Sequence, residues 1–245
     1  MNPELLEYAQ DLGPEYGTDI SSIYLYSMVR MQRPEVVLEL GAGLGTCAFL
    51  MAQAAKENGT GHVWTVDDGS HWPTTCKHEG VRRRTGDSPP SYGDFIRSQA
   101  QVLGLSEHMT LIEANVPPYP APNKSIDLLF SDFRHDPNGI IQLLATYLPL
   151  MSEASSVYID SAPTYYPSYL FLEQLVGMFN QGRVPEHLLR AAGKTNRQKL
   201  LQIVPHRRFT LVHITEPAAQ EQNSMAWIKI EPYDLIPYPQ AQMRE

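Results

Sequence analysis

Cysteine is scarce in this chain: Cys47 and Cys76 are the two among 245 residues. Two thiols cannot build the cross-linked scaffold of a small secreted domain, and the usage fits a reducing compartment. Basic side chains are also short. Lysine and arginine number 19 against 27 aspartates and glutamates, a formal charge of −8, so the chain lacks the cationic face that nucleic acid or an anionic membrane needs. The one basic run, Arg82-Arg83-Arg84, is too brief to alter this. No apolar stretch approaches the roughly 18 residues of a membrane span, and the opening MNPELLEYAQDLG lacks a signal-peptide pattern. Apolar side chains, by contrast, make up 42% of the composition, enough to bury a full core without staples. These balances predict a soluble, cytoplasmic protein with neither a nucleic-acid nor a membrane partner.

Helical and extended patterns alternate along the chain. Residues 20–32 place Ile23, Tyr24, Ser27, Met28 and Met31 on one face of an amphipathic helix that Pro34 stops. A β-branched apolar run, EVVLEL, leads into Gly41-Ala42-Gly43-Leu44-Gly45, a helix follows through residue 55, and HVWTV is a second strand closed by Asp67 and Asp68. Strand, glycine turn, helix and strand over about 30 residues form a βαβ unit, which implies a parallel sheet covered by helices. Further strands are predicted at 109–113, 126–130 and 156–159, and helices at 95–103, 140–150 and 169–179. Two last strands, FTLVHI and MAWIKI, have only a short polar connection and pair antiparallel.

Two segments interrupt the alternation, at about 70–94 and 182–208. Connections of that length read as lids or binding loops, with a surface excursion or the contact of a homodimer as the alternative. Residues 1–232 are expected to form a single domain. The proline-spaced tail, 233–245, reads as a linker to a further domain after residue 245.

The glycine turn carries the strongest chemical signal. Glycines between strand and helix let the backbone approach a ligand closely, and the helix start offers unpaired N–H groups. Such a turn serves NAD, FAD and S-adenosylmethionine alike. Thr46 stands where a dinucleotide fingerprint wants its last glycine or alanine. Glu39 sits in the approach to the turn, where a carboxylate repels a pyrophosphate and suits a cationic amino-acid moiety. Both details favour S-adenosylmethionine. Asp67, at the end of the second strand, is placed to accept from ribose hydroxyls.

With these residues the sequence resembles the class I S-adenosylmethionine-dependent methyltransferases, and among them the catechol-type small-molecule O-methyltransferases. The resemblance spans residues 17–230 and is carried by EYGTDISSIYLYSMVRMQRPEVVLELGAGLGT, HVWTVDD, LGLSEHMTLIEAN, IDLLFSDFRHD and VYIDSAP. It implies an α/β, Rossmann-like fold with a seven-stranded, mostly parallel sheet in the order 3-2-1-4-5-7-6, strand 7 antiparallel. It further implies that Glu39, Gly41, Ala42 and Gly43 line the methionine end of the cofactor, and that Asp67 and Asp68 hold the ribose. Ala114 and Asn115 would flank the adenine, Asp132 and Phe133 would face the methyl, and Gly17 and Thr18 would close over the methionine portion.

In the same family Asp132 and Asp160 correspond to ligands of a divalent cation such as magnesium, which lowers the pKa of the acceptor hydroxyl. Two positions depart from that pattern. Ser161 replaces the asparagine or aspartate that completes the metal set, and His135 stands at the family's lysine. A two-carboxylate metal site completed by water and a metal-free site with His135 as general base both remain open, since imidazole, with an ordinary pKa of about 6.5, suits a phenol or alcohol proton. The expected activity is methyl transfer to a phenol, hydroxyl or carboxylate oxygen of a small, natural-product-like acceptor. An NAD(P)-dependent oxidoreductase is the competing expectation, and a non-catalytic cofactor-binding module the third. His71, Cys76 and His78 cluster in sequence without a fourth zinc ligand at a recognised spacing, and Tyr165, Tyr166, Trp72 and Tyr92 are candidates for an aromatic acceptor pocket.

Overall fold

A computed structural model of the chain describes residues 3–12, 19–115, 124–215 and 224–233. The elements run α1 (Pro3–Leu12), α2 (Asp19–Gln32), β1 (Val36–Leu40), α3 (Thr46–Asn58), β2 (His62–Asp67), α4 (Trp72–Thr75), α5 (Glu79–Thr85), α6 (Tyr92–Val102) and β3 (Met109–Glu113). They continue with β4 (Ile126–Ser131), α7 (Pro137–Tyr147), β5 (Met151–Asp160), α8 (Tyr166–Asn180), α9 (Glu186–Ala191), α10 (Gly193–Ile203), β6 (Arg207–Thr215) and β7 (Ser224–Pro232). The seven strands form one sheet in the order β3-β2-β1-β4-β5-β7-β6, parallel except that β7 runs antiparallel to both β5 and β6. That is the order the resemblance implies. Among the described residues no helix is long and apolar enough to cross a membrane.

The centre of the sheet explains the sequence of β1. Every residue of VVLEL is buried, as expected of a parallel strand covered on both faces. Val36, Leu38 and Leu40 point into a core shared with α7, α8, α9 and α10, while Val37 points into a second core with α1, α2, α3 and α6. Each such side chain contributes roughly 1.5–3 kcal/mol by leaving water. Glu39 shares the Val37 face and is the one charge in the strand, which makes it costly there unless something requires it.

Local chemistry sets the helix ends. Gly59, at φ +67, stops α3 by donating to the carbonyls of Ala55 and Lys56. Asp136 caps α7 by accepting from the N–H groups of Asn138 and Gly139. With Pro137 in the first turn, that cap starts the helix earlier than the predicted residue 140. Pro149, in a 3-10 turn at Leu148–Leu150, ends it before the predicted 150.

Three further differences have tertiary causes. The buried stripe of α2 is Ser21, Ser22, Leu25, Met28 and Val29, whereas Ile23 is 43% exposed and Met31 69%. The two small serines help the helix lie close against the rest of the fold, and that packing selects the face. Strand β5 begins at Met151, well before the predicted 156. There its polar start is held by neighbours, with Met151 beside Ile126 of β4 and Ser155 opposite Ile230 of β7. The 182–208 segment folds as α9 and α10, whose Leu188, Leu189 and Leu200 join the α7–α8 core.

Candidate active site

The turn after β1 is shaped by three glycines with positive φ: Gly41 at +91, Gly43 at +54 and Gly45 at +89. Gly41 is the most constrained, because a Cβ there would lie 2.4 Å from the carbonyl oxygen of Asp132. The carboxyl ends of β1 and β4 can therefore approach only across a glycine. The turn is braced from behind, where the buried Tyr8 of α1 donates its hydroxyl to the Leu44 carbonyl at 2.6 Å. The Arg84 guanidinium of α5 lies 4.5 Å from the Tyr8 ring centroid, and Arg84 pairs with Asp11 of α1 at 2.7 Å.

A cleft of about 240 Å³ opens in front of the turn. Gly41, Gly43, Asp67, Asp68, Asp132 and Phe133 line it together with Ser70 and His71. This brings six of the sequence-predicted positions into one concavity at the carboxyl ends of β1, β2 and β4, where open α/β sheets bind ligands. Asp67 is mostly buried, with Oδ1 accepting from Gly69 N–H at 2.8 Å and Oδ2 from Gly43 N–H at 3.1 Å. Glu39 lies beneath the cleft with no exposed surface. One oxygen accepts from the Thr65 hydroxyl, and the other, Oε1, has no hydrogen-bond partner among the described residues. Burial, reinforced by Asp132 and Asp67 and opposed by Thr65, pushes its carboxyl up to about 8.

The second constellation forms beside the cleft. One ligand atom each from Asp132, His135 and Asp160 lies within 4.8 Å of the others, the one such metal-capable group found among the described residues. Asp132 is held by β4, whose chain continues into the site as Asp132 N–H donates to the Leu40 carbonyl at 2.9 Å. Its side chain keeps 43% of its surface. Burial of its base raises the carboxyl, with His135 opposing, Asp67 adding, and a hydrogen bond with Asp160 opposing.

His135 is fixed by two elements. Its Nδ1 lies 2.7 Å from the backbone carbonyl of Asp160, which can only accept, so the ring proton belongs on Nδ1. Its own carbonyl accepts from the Ser168 hydroxyl. The ring lies nearly parallel to Tyr165, 14° between planes with centroids 6.0 Å apart. Nε2 is left with its lone pair, 3.9 Å from Asp132 Oδ1. Ser161 takes a left-handed backbone, φ +54, unusual outside glycine. Its N–H donates to Ser224 O of β7 at 2.7 Å, and its hydroxyl donates to Asp160 Oδ2 at 2.5 Å.

Other predicted positions stand apart. Ala114 donates its N–H to the Asp67 carbonyl at 3.1 Å but packs at the edge of the core, and Asn115 is exposed; neither lines the cleft. Ala42 is buried within the turn. Gly17 and Thr18 lie outside the described residues, as does the tail beyond residue 233. His71, Cys76 and His78 do not gather: His71 enters the cleft, His78 caps α5 through Gly80 N–H, and Cys76 Sγ faces the Pro73 carbonyl. Trp72 and Tyr92 pack with Phe95, whereas Tyr165 borders a separate groove with Arg134, His135 and Pro167. Sequence reasoning missed His71 and Ser70 as cleft residues. The signal for His71 is its placement four residues after Asp67 at the start of a helical turn.

No curated protein matches the chain. Among solved structures it is similar to the O-methyltransferase TomG from Streptomyces achromogenes, involved in tomaymycin synthesis and bound to SAM. The two are 14% identical, with 94% of this chain and 91% of that one covered and a TM-score of 0.55. It is similar to an O-methyltransferase from Bacillus cereus in complex with SAH, at 12% identity, 94% and 92% coverage and a TM-score of 0.53. It is also similar to the SAH-bound methyltransferase PaMTH1 of Podospora anserina, at 15% identity, 94% and 87% coverage and a TM-score of 0.52. At such identities these likenesses bear on the fold. A sequence-family model described as a methyltransferase domain matches residues 38–162, just over half of the chain. Because that match runs from within β1 to just past β5, across every strand end that supplies the cleft, the chain belongs to the methyltransferase domain family.

Proposed function

We propose that the chain transfers the methyl group of S-adenosylmethionine to a hydroxyl oxygen of a small molecule. The observation that carries this is the cleft itself, where a buried carboxylate with an orphaned oxygen lies behind a glycine turn and a second carboxylate ends the next strand. The residues present fit that cofactor. Glu39 Oε1 would receive its ammonium, the turn from Gly41 to Gly43 its carboxylate end, and Asp67 its ribose hydroxyls. When bound, it supplies a sulfonium methyl to an oxygen nucleophile. Family membership leaves no support for the oxidoreductase expectation. The solved relatives bound to SAM or SAH, TomG and the Bacillus cereus enzyme among them, support both the cofactor and an oxygen acceptor.

His135 decides the kind of oxygen. A carboxylate acceptor needs no base, whereas a phenol or alcohol must lose a proton as it attacks. Nε2 of His135, 3.9 Å from Asp132 Oδ1 at the edge of the cleft, is placed to take that proton, and the Asp160 carbonyl holds the tautomer that makes this possible. The scarcity of cysteine, two among 245 residues, supports residence in a reducing cytoplasm. The test is calorimetric titration with S-adenosylhomocysteine and NAD, followed by transfer of labelled methyl to a panel of phenols, alcohols and acids. Binding of the former alone with methylation of hydroxyl compounds is expected; NAD binding, or methylation of acids only, overturns the reading.

Binding should also release a proton. In the free chain Glu39, raised to about 8, is protonated at neutral pH. An ammonium at Oε1 favours its charged form and lowers its pKa, so ligand entry expels up to about one proton per site at pH values between the pKa of the ligand-bound carboxyl and the raised one, and almost none far below or well above that window. Calorimetry in buffers of different ionisation enthalpy reads this directly. Glu39→Gln should abolish the release, and unchanged release in that variant would move the ammonium elsewhere.

A divalent cation is the second reading, favoured by the closeness of Asp132, Asp160 and His135 Nε2. The donor set fits one, and the imidazole suits manganese or zinc better than magnesium. Such an ion, when bound, lowers the pKa of an acceptor hydroxyl. Excess chelator should leave turnover intact if His135 acts as the base alone. Loss of activity that added manganese restores would assign the three residues to a cation instead.

A further inference from the structure

The 70–94 segment reaches the cofactor side of the cleft through His71, a residue to which neither the glycine motif nor the acceptor chemistry gives a role. Gly69, at φ +66, turns the chain hard against Tyr92, whose ring would lie 2.7 Å from a Cβ at that position. The imidazole of His71 consequently folds back over the end of β2, edge-on to Tyr92 with centroids 5.2 Å apart. Nε2 is buried with no hydrogen-bond partner among the described residues, while Nδ1 stands 3.6 Å from Asp67 Oδ1. Only Nδ1 has an acceptor at hand, so it carries the ring proton. At 3.6 Å that N–H is too far for a direct hydrogen bond and is not yet committed.

We propose that His71 donates from Nδ1 to a ribose hydroxyl oxygen, so that Asp67 and His71 together recognise the vicinal diol of the cofactor. The inference rests on the S-adenosylmethionine reading above and adds a residue to it. Each oxygen of Asp67 already accepts one backbone N–H, from Gly69 and from Gly43, and keeps one further acceptor position facing the cleft. Two adjacent hydroxyls can donate to those two positions. Each hydroxyl oxygen then still has its own lone pairs, which in a narrow cleft need a donor. Nδ1 is a side-chain donor beside Oδ1, whereas the Ser70 hydroxyl, which also lines the cleft, is bonded to Asp68. Asp68 can only accept, and its Oδ1 is occupied by Ser70 N–H. The pair therefore reads a hydroxyl as donor and acceptor at once, which discriminates sharply against a ligand lacking it.

The test is a binding cycle on the whole chain, using S-adenosylhomocysteine and its 2′-deoxy and 3′-deoxy analogues. The variants are His71→Phe, which keeps the ring against Tyr92 without a donor, and His71→Asn, whose amide restores one. In the unaltered chain one of the two analogues should bind about 30–100-fold more weakly than the parent ligand. In His71→Phe the parent should lose about tenfold, the same analogue far less, so that the hydroxyl penalty shrinks by about tenfold, with partial recovery in His71→Asn. A purely structural role would weaken all three ligands by one common factor, and equal penalties across the variants overturn the inference. Absence of any S-adenosylhomocysteine binding by the unaltered chain would instead bring down the cofactor reading, and this inference with it.

Discussion

Replacing His135 by alanine is expected to lower turnover on a phenolic acceptor by about 10²–10⁴-fold, the usual worth of a positioned general base. Affinity for S-adenosylhomocysteine should stay within about twofold, because His135 does not line the cofactor cleft. The pH profile separates this from a loss of packing. In the unaltered chain Nε2 takes the acceptor's proton as the oxygen attacks. The variant has no acceptor for that proton, so its rate should climb about tenfold per pH unit toward the phenol's own pKa of about 10. Added imidazole should recover part of the loss. Recovery by a divalent cation in place of imidazole would show that His135 serves as a ligand, and a pH profile identical to that of the unaltered chain would remove it from proton transfer altogether.

Gly41→Ala is expected to be the most damaging single methyl in the site. At φ +91 an L residue is strained by roughly 1–3 kcal/mol. The new Cβ would also sit 2.4 Å from the Asp132 carbonyl oxygen. Neither side yields easily, since Gly41 N–H donates to Val66 O and Asp132 N–H to Leu40 O, both at 2.9 Å. Relief must separate the ends of β1 and β4, which displaces Asp132 and opens the cleft. The melting temperature should fall by about 5–10 °C, and affinity for S-adenosylhomocysteine by about 100-fold or more. Gly43→Ala is the control, because a Cβ there meets nothing within 4 Å, and it should cost only about 1 kcal/mol for its left-handed backbone. Equal losses of melting temperature in the two variants would show that the close strand approach is not what the turn requires.

The α2 segment shows where sequence reading stops. Its spacing identifies a helix, yet the face that became buried is the one carrying Ser21, Ser22 and Leu25. Periodicity reports that a stripe exists; the partner's shape selects which stripe. Strand β5 makes the same point, since MSEAS has little strand character by itself and is extended because β4 and β7 lie beside it. In the site, Asp67, Asp132 and Asp160 were legible because Asp67 and Asp160 end strands and Asp132 directly follows one, and strand ends can be read from local pattern. His71 was not legible as a cofactor residue, because its role depends on a turn that folds back.

The sequence by itself determined the alternation of strands and helices, the glycine turn after β1 and the carboxylates at the strand ends, since each follows from residues adjacent in the chain. Tertiary structure alone decided that Glu39 has an orphaned oxygen, that His135 carries its proton on Nδ1, and that His71 stands over Asp67. Those properties depend on distances between groups set by strand register and by helices packed from elsewhere in the chain. A proton's position or an unpaired lone pair is fixed by whatever lies within about 3 Å of it, and one-dimensional spacing does not contain that information.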